Sequence, residues 1–230
     1  DFDPVKWADI VTTTTHKTLR GPRGAMILCK KEFEDYVNKG CPMVLGGPLP
    51  HVMAAKAIAL KEANSKAYQD YAHQVVKNAQ ALAKALQNLG IHLQTNGTDN
   101  HLMLADITSY GRTGKQAEAA LFQAGVTTNA NALPYDKNGA WYTSGLRLGT
   151  PALTTLGMKE SEMDEVAAII DMVLKGTKPG VTKDGKPAKL KIVMDESVKE
   201  AASKRVQALL SKFVLYPELD LDFLKKEFVK

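Results

Sequence analysis

The sequence predicts an α/β fold built in two parts, and three observations carry that expectation. Four consecutive threonines, Thr12 to Thr15, follow Ile10 and Val11, and such a β-branched run favours extended backbone. From His51 to Leu89 alanines and leucines recur at helical spacing, as a core-facing helix requires. Beyond them short apolar runs alternate with amphipathic ones, the pattern of strands interleaved with helices.

Taken in order, strands are expected at 9–15 and 24–29, then a helix from Lys31 to about Asn38 that ends before Gly40. Cys41 to Pro50 reads as a loop punctuated by Gly46-Gly47-Pro48. Within the helical stretch Asn64-Ser65 marks a cap and a break. Val75, Val76, Ala79, Leu82, Ala83 and Leu86 then form one buried stripe. Strands follow at 91–94 and 101–106, a helix at 114–123, and strands near 126–128 and 146–149. A helix from Ser161 to Leu174 begins on a capping serine, with Glu162, Asp164 and Glu165 near its positive end. Residues 176–191 read as a solvated basic loop, and Asp195 to Phe213 as a terminal amphipathic helix stopped by Pro217. The boundary is expected near 73/74, with 1–73 as part of a larger sheet domain and 74–230 as a smaller α+β domain. The threonine-rich strand needs neighbours for its backbone hydrogen bonds, so the first part is expected to be unstable by itself.

Composition narrows the function classes. A chain of 230 residues that is 44% hydrophobic can bury a core, and no stretch approaches the length of a membrane span. Cys29 and Cys41 have no metal-ligand spacing, nor do His16, His51, His73, His92 and His101, so free thiols and no metal are expected. The net charge of +5 is concentrated in Lys178, Lys183, Lys186, Lys189 and Lys191. No aromatic residues interleave with these lysines, so nucleic-acid binding is not expected.

Two residues stand out chemically. Lys17 follows the threonine strand and precedes the turn Arg20-Gly21-Pro22-Arg23-Gly24, and ligands of open sheets collect at such strand ends. An amine partly desolvated there, beside Arg20 and Arg23, would be nucleophilic toward an aldehyde; the same residues would also suit a solvated surface lysine. Arg147, on a short apolar strand between Gly145 and Gly149, is expected to be buried and to need an anion, either a bound carboxylate or an internal acid. Gly111 to Gln116 has glycines at the wrong spacing for a phosphate loop, and Gln116 stands where a hydroxyl is needed.

Four blocks occur together: Thr12 to Gly24, Leu45 to Val52, Ala57 to Ala63 and Thr143 to Ala152. In this order they resemble the serine hydroxymethyltransferases, from Asp9 to about Leu174 and more loosely after Gly176. The resemblance implies an aminotransferase-like, fold type I enzyme using pyridoxal 5'-phosphate, with tetrahydrofolate as co-substrate for serine and glycine. It implies that Lys17 forms the Schiff base, that Thr14 lines the ring pocket, that His16 flanks the lysine, and that Arg23 lies near the cofactor. Gly47 would give its amide to the cofactor phosphate of the neighbouring subunit in a homodimer, Arg147 would bind the substrate carboxylate, and Asn131 would touch the folate. A cytoplasmic protein without a membrane span is implied.

Family chains are roughly twice as long, as two-domain enzymes are. The amino-terminal half would carry the carboxylate facing the pyridine nitrogen, the stacking histidine, most of the phosphate cradle and the catalytic glutamate. This half by itself is therefore expected to be inactive. The alternatives are another fold type I enzyme, such as a threonine aldolase or glycine acyltransferase, and a non-catalytic fragment that binds RNA.

Overall fold

A computed structural model describes residues 3–229, and for Cys41 and Pro42 the backbone alone; the expected free thiol of Cys41 thus lies outside the described side chains, while that of Cys29 is free. The chain divides into two compact units, Asp1–Ala72 and His73–Lys230.

In the first unit β1 (Ile10–Thr14) and β2 (Ala25–Cys29) pair antiparallel, Ile10 opposite Cys29 and Thr14 opposite Ala25. A 3-10 turn, Lys31–Phe33, leads into α1 (Glu34–Val44). The expected stop before Gly40 does not occur, because glycine permits a left-handed terminus but does not force one. Then follow α2 (Pro50–Ala63), with proline in its first turn, and α3 (Lys66–Asn88). The break at Asn64-Ser65 is real: Ser65 Oγ accepts the Tyr68 N–H at 3.2 Å and donates to the Glu62 carbonyl at 2.6 Å.

The unit boundary falls within α3. The second unit continues through β3 (His92–Leu93), β4 (Leu102–Asp106), α4 (Gly114–Gln123), β5 (Asn129–Asn131), α5 (Gly139–Tyr142), β6 (Gly145–Gly149) and α6 (Pro151–Thr155). It ends with α7 (Glu160–Lys175), β7 (Thr177–Val181), β8 (Pro187–Met194), α8 (Glu196–Leu210) and α9 (Leu221–Phe228). Its main sheet has the order β3-β4-β6-β5, with all neighbours antiparallel. Period-two alternation sends Leu93, Met103, Ala105, Leu146 and Leu148 to one buried face. There they join Leu82 and Leu86 of α3, Ala117 and Leu121 of α4, and Met163, Ile170 and Leu174 of α7 in one core.

Several expectations need correction. The described strands pair antiparallel throughout, so no parallel sheet forms among the described residues. The basic segment 176–191 is not a solvated loop, because β7 and β8 form an antiparallel hairpin through most of it. Its turn is closed by the Thr182 N–H on the Lys186 carbonyl at 2.8 Å, with Gly185 at a φ of 77° that glycine adopts freely. Helix α7 begins one residue before Ser161, and its first turn is capped by Glu162, which accepts the Lys159 N–H at 2.8 Å.

Candidate functional site

The turn that carries Lys17 is built around Thr15, the one fully buried side chain among the described residues of the first unit. Its N–H donates to the Gly24 carbonyl at 2.9 Å, its hydroxyl to the Pro22 carbonyl at 2.7 Å, and its carbonyl accepts the Gly21 N–H at 2.8 Å. That closeness requires glycine at 21, since a Cβ there would stand 2.7 Å from the Thr15 carbonyl oxygen and 3.1 Å from Ala59 Cβ. His16 Nδ1 lies 3.3 Å from both the amide nitrogen and the carbonyl oxygen of Gly24. The histidine thus fixes the turn next to the lysine.

Lys17 itself is exposed. The expected partial desolvation is absent because no buried layer of the first unit covers the end of the hairpin. Among the described residues its amine has no hydrogen-bond or ion-pair partner, and the same holds for the exposed guanidinium of Arg23 and the half-buried hydroxyl of Thr14. Lys56 reaches the same end of the hairpin, donating to the Ala25 carbonyl at 2.8 Å. Three cations thus belong to one end of the hairpin without a bonded carboxylate among the described residues. Arg20 lies elsewhere, with its guanidinium over the rings of Tyr71 and Tyr68. Gly47 stands in the loop before α2, with nothing within 4 Å of where a Cβ would be.

The other two expected residues belong to the second unit. Arg147 is exposed, not buried as expected. Alternation along β6 turns Leu146 and Leu148 to the core and Arg147 to the opposite face. In register Arg147 stands between Leu104 of β4 and Asn129 of β5, and it donates to Asn129 Oδ1 at 3.0 Å. The internal acid that would have neutralised it is absent among the described residues. Asn131 pairs with Gly145 two residues along, so it shares this face with Arg147, and its amide donates to the Ala132 carbonyl at 2.7 Å.

Sequence reasoning missed the residue that shapes the approach to this strand. Asp136 accepts four hydrogen bonds, from the Ser144 hydroxyl (2.5 Å) and from the backbone N–H groups of Ser144 (2.7 Å), Asn138 (2.9 Å) and Leu133 (3.0 Å). Burial pushes its carboxyl up, but the four donors outweigh it and leave the pKa below the ordinary value. Asp136 followed by Lys137-Asn138-Gly139 was the available signal, an Asx-type turn. In the segment Gly111–Gln116, Thr113 and Gln116 cap α4 reciprocally, and the Gly114 N–H meets the Thr143 carbonyl at 2.9 Å. No group of three or more histidine, cysteine or acidic residues that could hold a metal occurs among the described residues, and no described helix is long and apolar enough to cross a membrane.

Comparison with known proteins gives the geometry a context. Residues 2–170 match the family model described as serine hydroxymethyltransferase. The chain is 56% identical over 230 residues to the serine hydroxymethyltransferase of Treponema pallidum (strain Nichols), covering all of this chain and 40% of that protein. It is 57% identical over 221 residues to the serine hydroxymethyltransferase of Salinispora tropica, covering 96% of this chain and 46% of that protein. Against the protein of the same name from Cutibacterium acnes the figures are 54% identity over 222 residues, 96% and 45%. The chain aligns with the carboxy-terminal part of these relatives and spans less than half of their length.

Proposed function

The chain belongs to the serine hydroxymethyltransferase family, and from that premise we propose that it supplies the lysine and the arginine for a pyridoxal-phosphate-dependent interconversion of serine and glycine, with the one-carbon unit passed to tetrahydrofolate. Bound pyridoxal phosphate supplies an aldehyde with which an amine condenses and a ring that withdraws electrons from the substrate. The residues of the first unit fit such a group. Lys17, Arg23 and Lys56 belong to one end of the hairpin without a bonded acid among the described residues, which suits an anionic, aldehyde-bearing ligand.

In this reading Lys17 is the nucleophile, His16 and Thr15 hold its backbone, Thr14 lines the ring pocket, and Arg23 faces the anionic side. Gly47 leaves its amide open to a phosphate held by the partner subunit of a homodimer, since no side chain crowds it. The Arg147 fork takes the substrate carboxylate in bidentate fashion, and its neutral partner Asn129 leaves the charge available for that task. Asn131, on the same sheet face, contacts the folate. The remaining groups come from a segment corresponding to the relatives' amino-terminal part, so these 230 residues alone turn nothing over. The reading places the enzyme in the cytoplasm.

The observation that carries the proposal is the Lys17 turn, a rigid backbone presenting an amine without a competing acid. Borohydride reduction of the cofactor-loaded holoenzyme, followed by peptide mass analysis, should fix the cofactor on Lys17, and Lys17→Ala should abolish both the adduct and turnover. An adduct on another lysine would overturn it.

A further inference from the structure

Arg20 adopts a φ of 56°, a left-handed backbone that glycine takes freely and other residues take at some cost. Two aromatic rings flank its side chain. Its guanidinium carbon lies 4.0 Å from the ring centroid of Tyr71 and 5.7 Å from that of Tyr68, and the two rings tilt at 52° with centroids 5.7 Å apart. Tyr68 and Tyr71 stand three residues apart on α3 and so share a face. Tyr68 also donates its hydroxyl to the Thr18 carbonyl at 2.8 Å, and the Arg20 N–H closes on the Lys17 carbonyl at 2.9 Å.

Thr15, His16, Thr18, Arg20 and Gly21 therefore each make a hydrogen bond or ring contact through backbone or side chain, and Lys17 makes one through its backbone carbonyl. On the amino side the turn is tied by Thr15 to Pro22 and Gly24; on the carboxy side it is tied to α3. The lysine stem has four rotatable carbons and no partner of its own. Where its amine points is set by where its Cα is held.

We infer that Arg20, Tyr68 and Tyr71 form a clasp that holds the Lys17 turn against α3, and that they are positioning residues for the lysine. The inference rests on the reading of Lys17 as the cofactor-bearing residue and adds what aims it. Attachment requires the amine to meet the aldehyde within a narrow range of approach, with one water released as the imine forms, and a loosened turn lowers the fraction of time spent in that range.

The test uses the cofactor-loaded holoenzyme and variants that separate aim from fold. Arg20→Gly removes the guanidinium while giving position 20 the residue its backbone prefers. Tyr71→Leu removes a ring, and Tyr68→Phe deletes one hydroxyl. The readouts are the rate at which the stripped protein regains its visible cofactor band, the pH midpoint of that band, the borohydride adduct on the Lys17 peptide, and the thermal midpoint. Arg20→Gly and Tyr71→Leu should each slow reattachment about tenfold, the scale set by misplacing a reacting group slightly. Both should shift the pH midpoint of the band with little change in thermal midpoint. Tyr71→Phe should recover most of the rate that Tyr71→Leu loses, and the double variant should be no slower than either single one, because both delete one interaction. If a substitution at 20 or 71 lowers the thermal midpoint, Tyr68→Phe gives the answer with the least disturbance.

Wild-type rates and midpoints in all three variants, with the adduct still on Lys17, would overturn the clasp alone. A wild-type protein whose adduct is not on Lys17 would overturn the underlying reading as well, so the two failures are distinct.

Discussion

In the second unit Leu86, Leu93, Leu121, Leu146, Met163 and Leu174 have at most 2% of their surface exposed, whereas in the first unit Thr15 is the single described side chain that is fully buried. The first unit instead leaves Ile10, Ile27 and Leu28 about half exposed. A groove of about 600 Å³ runs along its hairpin, lined by Val5, Val11, Ile27, Leu28 and Cys29. The two units thus divide the requirements of the proposed reaction differently. The second carries its own core and can present Arg147 on a finished sheet; the first holds a well-bonded lysine turn on a hairpin with little apolar burial of its own. Hydrophobic burial is the main stabilising contribution in folding, so the first unit is expected to need a covering layer and the second is not. The relatives' additional length is where such a layer would come from.

That contrast can be broken most sharply by deleting apolar volume in each unit. Leu121→Ala should cost about 2–5 kcal/mol, as emptying a packed site does, while Ile27→Ala in the 230-residue chain should cost less than about 1 kcal/mol, as changes at half-exposed positions do. Urea unfolding of both variants measures this, and equal losses would erase the distinction. A smaller effect belongs to Asn78, which is fully buried and donates to Thr154 Oγ1 and the Met158 carbonyl, both at 2.9 Å, while accepting from Gln74. Asn78→Ala should cost about 1–3 kcal/mol by stranding those groups. An unchanged unfolding midpoint would show that the polar tie between α3 and α6 is dispensable.

The mildest test is one of pH. Asp136 has a folded pKa below its ordinary 3.8. Its contribution is therefore complete above that value and is lost as the pH falls through it toward the folded value. Asp136→Asn should flatten this acid limb in the second unit and leave the first unit's acid response unchanged, measured as urea midpoint against pH. A limb of undiminished steepness would assign it to other carboxylates.

Much of this was legible in the residues. Period and punctuation placed α4 at Gly114–Gln123, the break at Asn64-Ser65 and strand β4 within a residue or two, because local propensity and tertiary packing agree there. The hairpin β7–β8 was obscured by its lysines. Charge suggested solvent, yet Asp184-Gly185 followed by the alternation Lys189-Leu190-Lys191-Ile192 is a turn-and-strand signal that outweighs it. The expected burial of Arg147 failed for a similar reason. Apolar neighbours in sequence say that the strand is in the core, but period two says that every second residue is not. At the lysine turn the placing of Lys17 just beyond strand β1 could be read from the chain, while the contacts that its turn makes with α3 could not. Tyr68 and Tyr71 lie about fifty residues further along, and only the fold of α3 onto the turn brings them to Thr18 and Arg20.

Hydrogen exchange, followed by mass spectrometry on the 230-residue chain alone and again with the amino-terminal segment of a relative such as the Treponema pallidum enzyme, puts the division between the units to its most direct test. Amides of α4 and α7 should be protected in both samples, whereas those of β1 and β2 should exchange rapidly in the chain alone and become protected when the segment is added. Protection of β1 and β2 equal to that of α4 in the chain alone would contradict the account.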